Sequence, residues 1–365
     1  MIIDELFDQC VERLRAKAIL IPPLDGVMRP NSLLDEQPEV SQPIEQPDNV
    51  IGVNGQLWLS SKNRLLRLDP TKLKSAPQIV QHFDTEITCM AGRFDGIVAM
   101  GFDDGTVSIG NIETDGFHAS VLEGHMNCPT AMAFDHEQSL FVCEGSSSVK
   151  PTEMIRDLMQ TGCSGSVWQF DLRHKHHNIV AKGLSYPYGV AAIPGSDEIL
   201  VSECWKHRIV KIFTGDDRRP EPIINDLPGY PARLTQLTDG DSMLCLFAPR
   251  NRLIEFVLRE TEFRQQMIET IDPEYWIAPT LKSVQNFLEP LQQGGVKTMN
   301  IHKPWAPSFS YGLVVRLDAN LRPMASYHSR ANGRRHGVTS CGEISDQVYV
   351  TSKGGNCIVQ LTGCN

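Results

Sequence analysis

The segment Gly183–Arg233, GLSYPYGVAAIPGSDEILVSECWKHRIVKIFTGDDRRPEPIINDLPGYPAR, decides how the rest of the chain is read. It holds three strand-like runs, Gly189–Ile193, Glu198–Glu203 and Arg208–Phe213, and a fourth at Pro222–Leu227. Each run is short, rich in Val, Ile and Leu, and bounded by Gly, Pro, Ser or Asp, the residues that turn a chain. The closing LPGYPAR begins another run of the same kind. Four consecutive antiparallel strands followed by a restart is the pattern of one propeller blade.

The unit recurs on both sides. The first holds VIGVN, QLWLSS, RLLRLD and QIVQHF, to Phe83; the second holds ITCMA, IVAMGF, TVSIG and HASVL, to Leu122. The third holds TAMAF, SLFVCE, SVWQFDL and NIVAKGL, to Leu184. The fifth starts with RLTQLTDG and SMLCLF and finishes with GLVVRLD and PMASYH; the sixth has only GVTSCG, QVYVTS and CIVQL. The expected fold is all-β, a six-bladed β-propeller over residues 47–365. A propeller has no exposed edge when a strand from one terminus completes the blade made by the other. The Pro-rich connector, residues 21–46, is therefore expected to supply the strand that the sixth unit lacks.

Residues 1–20 precede that connector. Ile3, Leu6, Phe7, Cys10, Val11 and Leu14 recur at helical spacing, with Asp and Glu early and Arg and Lys late, as the helix dipole favours. This spacing predicts an N-terminal amphipathic helix over residues 2–18, whose apolar stripe must pack on the domain or on a second subunit. A homo-oligomer built through this helix is one expected arrangement.

Two units are interrupted between their second and third strands, at residues 146–164 and 249–310. The first insertion carries PTEMIRDLMQ, and the second carries NRLIEFVLRETEFRQQMIETI and APTLKSVQNFLEPL, all helix-like. In a four-stranded blade that loop lies on the same face as the start of strand one. Both insertions should thus form a helical lid, or the wall of a binding site, over one face.

The 365 residues carry a formal net charge of −10, which argues against a nucleic-acid partner, since that needs clustered Lys and Arg. No stretch approaches the roughly 18 apolar residues of a membrane span, and MIIDELFDQCVERLRAKAIL lacks the continuous apolar run of a signal peptide. A cytoplasmic protein with no membrane partner is expected. The ten cysteines lie far apart with no CxxC spacing, which disfavours a zinc site and suits buried thiols in a reducing compartment. The cluster His174, Lys175, His176 and His177 reads as a solvated turn.

Propeller geometry yields a short set of candidates for chemistry. Residues at the start of each first strand and the end of each second strand point around the channel on the lidded face. The starts offer Asp48, Tyr188, Arg233 and His336; the ends offer Ser60, Glu144, Glu203 and Lys353. Such a ring could hold a polar ligand or move protons, and it could equally fill the channel with salt bridges. Tyr188, His336 and Glu144 are the candidate acid–base groups. Arg233, whose fork suits a carboxylate or phosphate, joins Asp48, Glu203 and Lys353 as a candidate substrate contact.

Leu184–Val190 (LSYPYGV), followed by LVSE and LPGYP, resembles the core signature of the strictosidine synthase-like family, which belongs with gluconolactonases and paraoxonases among six-bladed propellers. The likeness runs more weakly from Pro47 to Leu361. For the lactonases it implies a divalent ion held by an acid after the first-blade Pro and by Asn in a PNGV motif, with further ligands near the fifth-blade start. Asp48 matches the first of these, but Tyr188 and Ala232-Arg233 stand at the others, and a cation beside calcium repels it. No metal cofactor is therefore expected. For the synthases it implies a last-blade glutamate, whose position falls near Thr339, a substrate contact here, with Glu343 in the following turn. Condensation of an amine with an aldehyde is not expected. The function expected is an enzyme acting on a small, anionic organic metabolite by metal-independent acid–base chemistry of hydrolase or lyase type. The alternatives are a lactonase whose divalent metal is re-sited onto Asp48, Glu144 and Glu203, and a propeller that binds a ligand without transforming it.

Overall fold

Short runs of alternating or continuous apolar residues fold here as antiparallel sheets. In the computed structural model, the residues described are 21–72, 74–113, 116–122, 124–135, 139–216, 218–282, 297–298, 301–302 and 309–363. The first blade is β1 (Pro47–Val53), β2 (Gln56–Ser61), β3 (Arg64–Leu68) and β4 (Gln78–His82), paired in that order. The second is β5 (Ile87–Gly92), β6 (Ile97–Phe102), β7 (Val107–Glu113) and β8 (Gly116–Val121). The third is β9 (Pro129–Phe134), β10 (Ser139–Glu144), β11 (Gly165–Asp171) and β12 (His176–Leu184). The stretch that opened the reading is the fourth: β13 (Pro187–Ala192), β14 (Glu198–Glu203), β15 (Arg208–Phe213) and β16 (Glu221–Ile224).

The fifth blade pairs β17 (Gly229–Gln236) and β18 (Ser242–Pro249) with β21 (Gly312–Leu317) and β22 (Pro323–Ser329). A small hairpin, β19 (Lys297–Thr298) with β20 (Ile301–His302), lies in the insertion between them. The sixth blade has three strands, β23 (Val338–Ile344), β24 (Gln347–Ser352) and β25 (Cys357–Leu361). The inner strands β1, β5, β9, β13, β17 and β23 touch in sequence, and β23 meets β1 to close the ring. Burial follows distance from the axis: β13 is buried along nearly its whole length, whereas β16 is mostly exposed. The core consists of layers between adjacent blades; Ala191 and Leu200 of the fourth face Leu234, Leu244 and Leu313 of the fifth.

The connector lies antiparallel along the edge of β25. Val40 N donates to Ile358 O (3.2 Å), Gln360 N to Pro38 O (3.1 Å) and Ile44 N to Asn356 O (2.9 Å), with an isolated bridge from Glu39 to Val359. Pro38 and Pro43 have no N–H to give, so the contact stays a broken row of bonds and not a regular strand. Val40 and Ile44 are buried beside Leu57, Leu59, Tyr349 and Ile358. The predicted helix over residues 2–18 lies outside the described residues.

One short helix in the connector, α1 (Leu33–Glu36), buries Leu34. The insertion after β10 forms α2 (Met154–Met159), and that after β18 forms α3 (Arg252–Arg259) and α4 (Thr261–Thr270). Asn251 caps α3 by accepting from Leu253 N (2.8 Å), and Glu260, outside helical geometry, separates α3 from α4. The later helix-like segment, APTLKSVQNFLEPL, falls largely outside the described residues. The two insertions meet: α2 touches α4, and the Arg156 guanidinium sits 5.4 Å from the Trp276 ring. Leu158, Met159, Val257 and Met267 join Tyr186, Tyr230 and Phe247 in one cluster over the channel.

Candidate functional site

Every inner strand is irregular where it begins. Pairing with the second strand skips between Pro47 and Val50, Ile87 and Cys89, Pro129 and Ala131, Pro187 and Gly189, Pro231 and Leu234, and Val338 and Ser340. Each skip leaves more residues on the inner strand than on its neighbour, which is a β-bulge, a device that re-aims side chains. The residues inside the skips include Asp48, Thr88, Thr130, Tyr188, Arg233 and Thr339, one from each blade. They form the floor of the channel.

Arg233 holds this ring together. Nη1 donates to Asp48 Oδ1 (2.6 Å), Asp48 O (3.5 Å) and Thr339 O (3.4 Å); Nη2 donates to Thr88 O (2.6 Å) and Thr130 O (3.3 Å). Its guanidinium lies 5.2 Å from the Tyr188 ring centroid. The hydroxyls tie each blade to the next: Thr88 to Pro129 O (2.7 Å), Thr130 to Pro187 O (2.6 Å), and Thr339 to Asp48 O (3.0 Å). The Asp48 carboxylate also accepts from Lys353 Nζ on its other oxygen (2.7 Å).

Burial alone would raise the Asp48 carboxyl, but the charges and hydrogen bonds of Arg233 and Lys353 hold it well below the usual carboxylate range. Burial, with Asp48 adding to it, pushes the Tyr188 phenol well above its ordinary value. Asp48 is thus a fixed anion and Tyr188 a fixed neutral phenol at neutral pH. Neither suits proton transfer there, because a general acid or base works best with a pKa near the working pH.

A small cavity opens above this floor on the side of α2. Its walls include Asp48, Lys353, Thr88, Thr130, Tyr186 and Tyr188 from the propeller and Pro151, Thr152 and Met154 from the insertion. Lys62 and Glu86 stand at it as well. Its volume is about 40 Å³, room for water or a small polar group but far below the roughly 300 Å³ of a typical metabolite pocket. Lys62 is paired with Glu45, whereas Glu86 has no side-chain partner among the described residues. Lys353 keeps 23% of its side chain exposed.

The structure therefore brings together Asp48, Tyr188, Arg233, Thr339 and Lys353, five of the residues chosen from the sequence. Arg233, expected to receive a substrate carboxylate, is buried and instead spends its Nη donors on protein oxygens, while Nε finds no hydrogen-bond partner among the described residues. Three others stand apart. His336 lies before the bulge of β23, its ring held between Ser310 Oγ (2.8 Å) and Arg330 O (2.8 Å). Glu144 accepts from Asn127 N (3.0 Å), Ser166 Oγ (2.8 Å) and Trp168 Nε1 (3.2 Å). Glu203 accepts from Ser185 N (2.9 Å) and pairs with Arg208 and Lys206. Both glutamates pin the chain that leads into their own blade, and Ser60 accepts likewise from Asn49 (2.8 Å). Asp48, Glu144 and Glu203 consequently do not converge, and among the described residues no three His, Cys, Asp or Glu gather as a metal site. A divalent ion re-sited onto these three carboxylates does not fit. Glu343, near the other end of β23 from Thr339, accepts from Thr238 N (2.8 Å).

Thr88, Thr130 and Glu86 were not among the sequence candidates. Thr88 and Thr130 occupy the same position in their blades as Tyr188 does in the fourth, so the positional rule could have found them. Glu86 lies one residue before β5 and carries no pattern that marks it.

Comparison with known proteins agrees with this fold. The strictosidine synthase family profile matches residues 131–217, the third blade, the α2 insertion and most of the fourth. The zebrafish (Danio rerio) adipocyte plasma membrane-associated protein is 22% identical over 115 residues, 31% of this chain and 28% of that protein. The match thus spans under a third of that relative's length. Among solved structures, the calcium-binding protein regucalcin of Agrobacterium tumefaciens aligns with a TM-score of 0.55 at 10% identity, covering 88% of this chain and 91% of that one. A luciferin-regenerating enzyme aligns with a TM-score of 0.52 at 10% identity, covering 92% and 95%. At that identity the structural likeness speaks to the fold alone. The chain is a six-bladed β-propeller similar to the strictosidine synthase family.

Proposed function

We propose that the protein binds a small anionic organic metabolite at the lidded mouth of its channel, with Lys353 as the anchoring cation. One observation carries this reading. Two cations, Arg233 and Lys353, share the single carboxylate of Asp48, so this three-residue cluster carries one net positive charge, and Glu86, at the same cavity, pairs with neither cation. A buried, incompletely compensated charge is costly, and a ligand carboxylate would complete it. Lys353, the more exposed of the two cations, faces the cavity and is the one a ligand can reach. The cavity must widen to admit a metabolite, and Pro151, Thr152 and Met154 of the first insertion are the part of its wall that lies outside the ring of blades.

The catalytic form of this reading, a metal-independent hydrolase or lyase step, is favoured by one residue. Glu86 stands at the same cavity with an unengaged carboxylate, whereas His336 and Glu144, the acid–base candidates from the sequence, lie in separate networks. Glu86 would then be the group that moves a proton.

The test is a thermal-shift screen of the full chain with small organic acids from acetate to citrate and their neutral esters. At least one acid is expected to raise the melting midpoint by a few degrees in the wild type, and Lys353→Gln is expected to weaken that ligand at least ~10-fold, the loss of one charge-assisted contact. Equal response of wild type and variant, or a preference for the esters, overturns the reading. Glu86→Gln should leave binding intact; any turnover that it abolishes supports the catalytic form.

A further inference from the structure

Away from the channel floor, the seam between the fifth and sixth blades holds two thiols in unusual proximity. Cys245, in the middle of β18, and Cys341, in β23, lie with their sulfurs 3.3 Å apart, 96 residues apart in sequence. Both are buried, at 0% and 3% exposure. Among the eight described cysteines no disulfide is formed, and only Cys163, in the insertion after β10, is exposed. Buried cysteine is ordinarily an inert small apolar residue. What sets this pair apart is that the two sulfurs come from different sheets and face one another.

We infer that Cys245 and Cys341 form a latent disulfide site, a covalent staple across the seam between blades five and six that closes when the chain meets an oxidising thiol–disulfide pool. A disulfide sulfur–sulfur bond is about 2.05 Å, so closure asks the sulfurs to approach by about 1.3 Å. The two sulfurs sit on neighbouring strands of facing sheets. β18 and β23 run within contact of each other, Cys245 is fixed in its sheet opposite Val314 and Cys341 opposite Val350. Thr235 Oγ1 donates to Cys341 O (2.8 Å), which ties the inner strand of blade five to the same point.

The chemistry balances with oxidised glutathione as the oxidant. One cysteine thiolate attacks a glutathione sulfur and releases one glutathione thiol, giving a mixed disulfide. The second cysteine, as thiolate, attacks the protein sulfur of that intermediate and releases a second glutathione thiol. Two protein thiols and one oxidised glutathione become one protein disulfide and two reduced glutathiones. Because both sulfurs are buried, the exchange needs the seam to open or takes place during folding. The staple would close a long loop that includes the whole insertion between β18 and β21, and long loops gain most from closure in the chain-entropy account. It would also fix the blade from which α3 and α4 project to its neighbour.

The test refolds the reduced full chain in a mixture of reduced and oxidised glutathione, blocks remaining thiols by alkylation, and maps disulfides by peptide mass spectrometry without reduction. The expected result is a Cys245–Cys341 linked peptide, about 2 Da lighter than its reduced pair because two hydrogens have left. The melting midpoint should rise by roughly 5 °C or more, and a reductant should reverse the shift. Cys341→Ser should lack both the link and the shift, and Cys163→Ser should keep both. Recovery of Cys245 and Cys341 as alkylatable thiols from the oxidised, refolded protein overturns the inference. So does a link that pairs either of them with another cysteine.

Discussion

Arg233 reaches all six inner strands from one side chain: its own β17, the carboxylate of β1, carbonyls of β1, β5, β9 and β23, and the aromatic face from β13. A guanidinium suits this position because five N–H groups in a plane can serve several carbonyls at once, where an ammonium with three cannot. Its task is to close the axis. Replacement by Met keeps much of the volume but leaves the Asp48 carboxylate to Lys353 alone and takes a donor from four backbone carbonyls. Breaking a buried pair from one side typically costs about 3–5 kcal/mol, so urea unfolding of Arg233→Met is expected to show a loss of that order. Adding Asp48→Asn should not recover it, because Asp48 is still paired with Lys353 in the single variant and the second change would strand that ammonium. The pH dependence has a definite sign. A carboxyl held below its unfolded value of roughly 3.9 stabilises the fold fully above that value, and the contribution is lost as pH falls toward the folded value. Arg233→Met should accordingly unfold at a higher pH than the wild type during acid titration. If the variant matches the wild type in both urea and acid, Arg233 is not the keystone of the ring.

At the scale of strands, convergence toward the axis explains why the motif that revealed the fold contains glycine. A Cβ on Gly189 would lie 2.5 Å from Ala232 O and 2.9 Å from Arg233 Cα on the next blade. On the far side of the ring, a Cβ on Gly52 would meet Glu343 O at 2.4 Å. The backbone φ at Gly189 is not in the left-handed region, so the requirement there is space alone. Gly189→Ala must push β13 from β17, and overpacking of this kind costs about 1–3 kcal/mol; chemical denaturation should show that loss, and a change near zero would mean that the ring gives way easily. The strands themselves were legible because period-two apolar patterning and Gly, Pro and Asp turns act locally. Asp48, Tyr188 and Lys353 could also be placed together, since blade geometry fixes where a first strand starts and a second strand ends. His336, Glu144 and Glu203 illustrate what that rule cannot read. A bulge changes which side chain faces the axis; in β23 the residue inside it is Thr339, three positions after His336, which precedes the strand. Whether a strand-end carboxylate faces the channel or pins its own loop depends on partners such as Asn127 N and Ser185 N. Those are brought near by the folded turn and leave no mark in the sequence.

For the whole molecule, the consequential feature is the seam where chain order and ring order meet. Four blades are built of consecutive strands and the fifth of two such pairs separated by its insertion, so these blades rest mainly on neighbours close in sequence. The sixth borrows its outer edge from residues 38–44, some 320 positions upstream, and the borrowed piece is weak in hydrogen bonds because two prolines interrupt it. Its hold comes from side chains instead. Val40 and Ile44, 1% and 3% exposed, slot against Leu57, Leu59, Tyr349 and Ile358, which belong to blades one and six. Burying two such aliphatic side chains contributes about 1.5–3 kcal/mol each, comparable to the contribution of a short strand. Val40→Asp combined with Ile44→Asp replaces that contact with two charges that cannot remain buried without partners, so the connector should leave β25. The expected outcome has two parts. Limited proteolysis should cut the variant within residues 21–46 while the wild type resists, and the uncovered edge of β25 should pair with that of a second molecule, giving association that rises with protein concentration. A variant that stays protease-resistant and monomeric would show that β23, β24 and β25 hold the ring closed unaided, and that the connector merely rests on them.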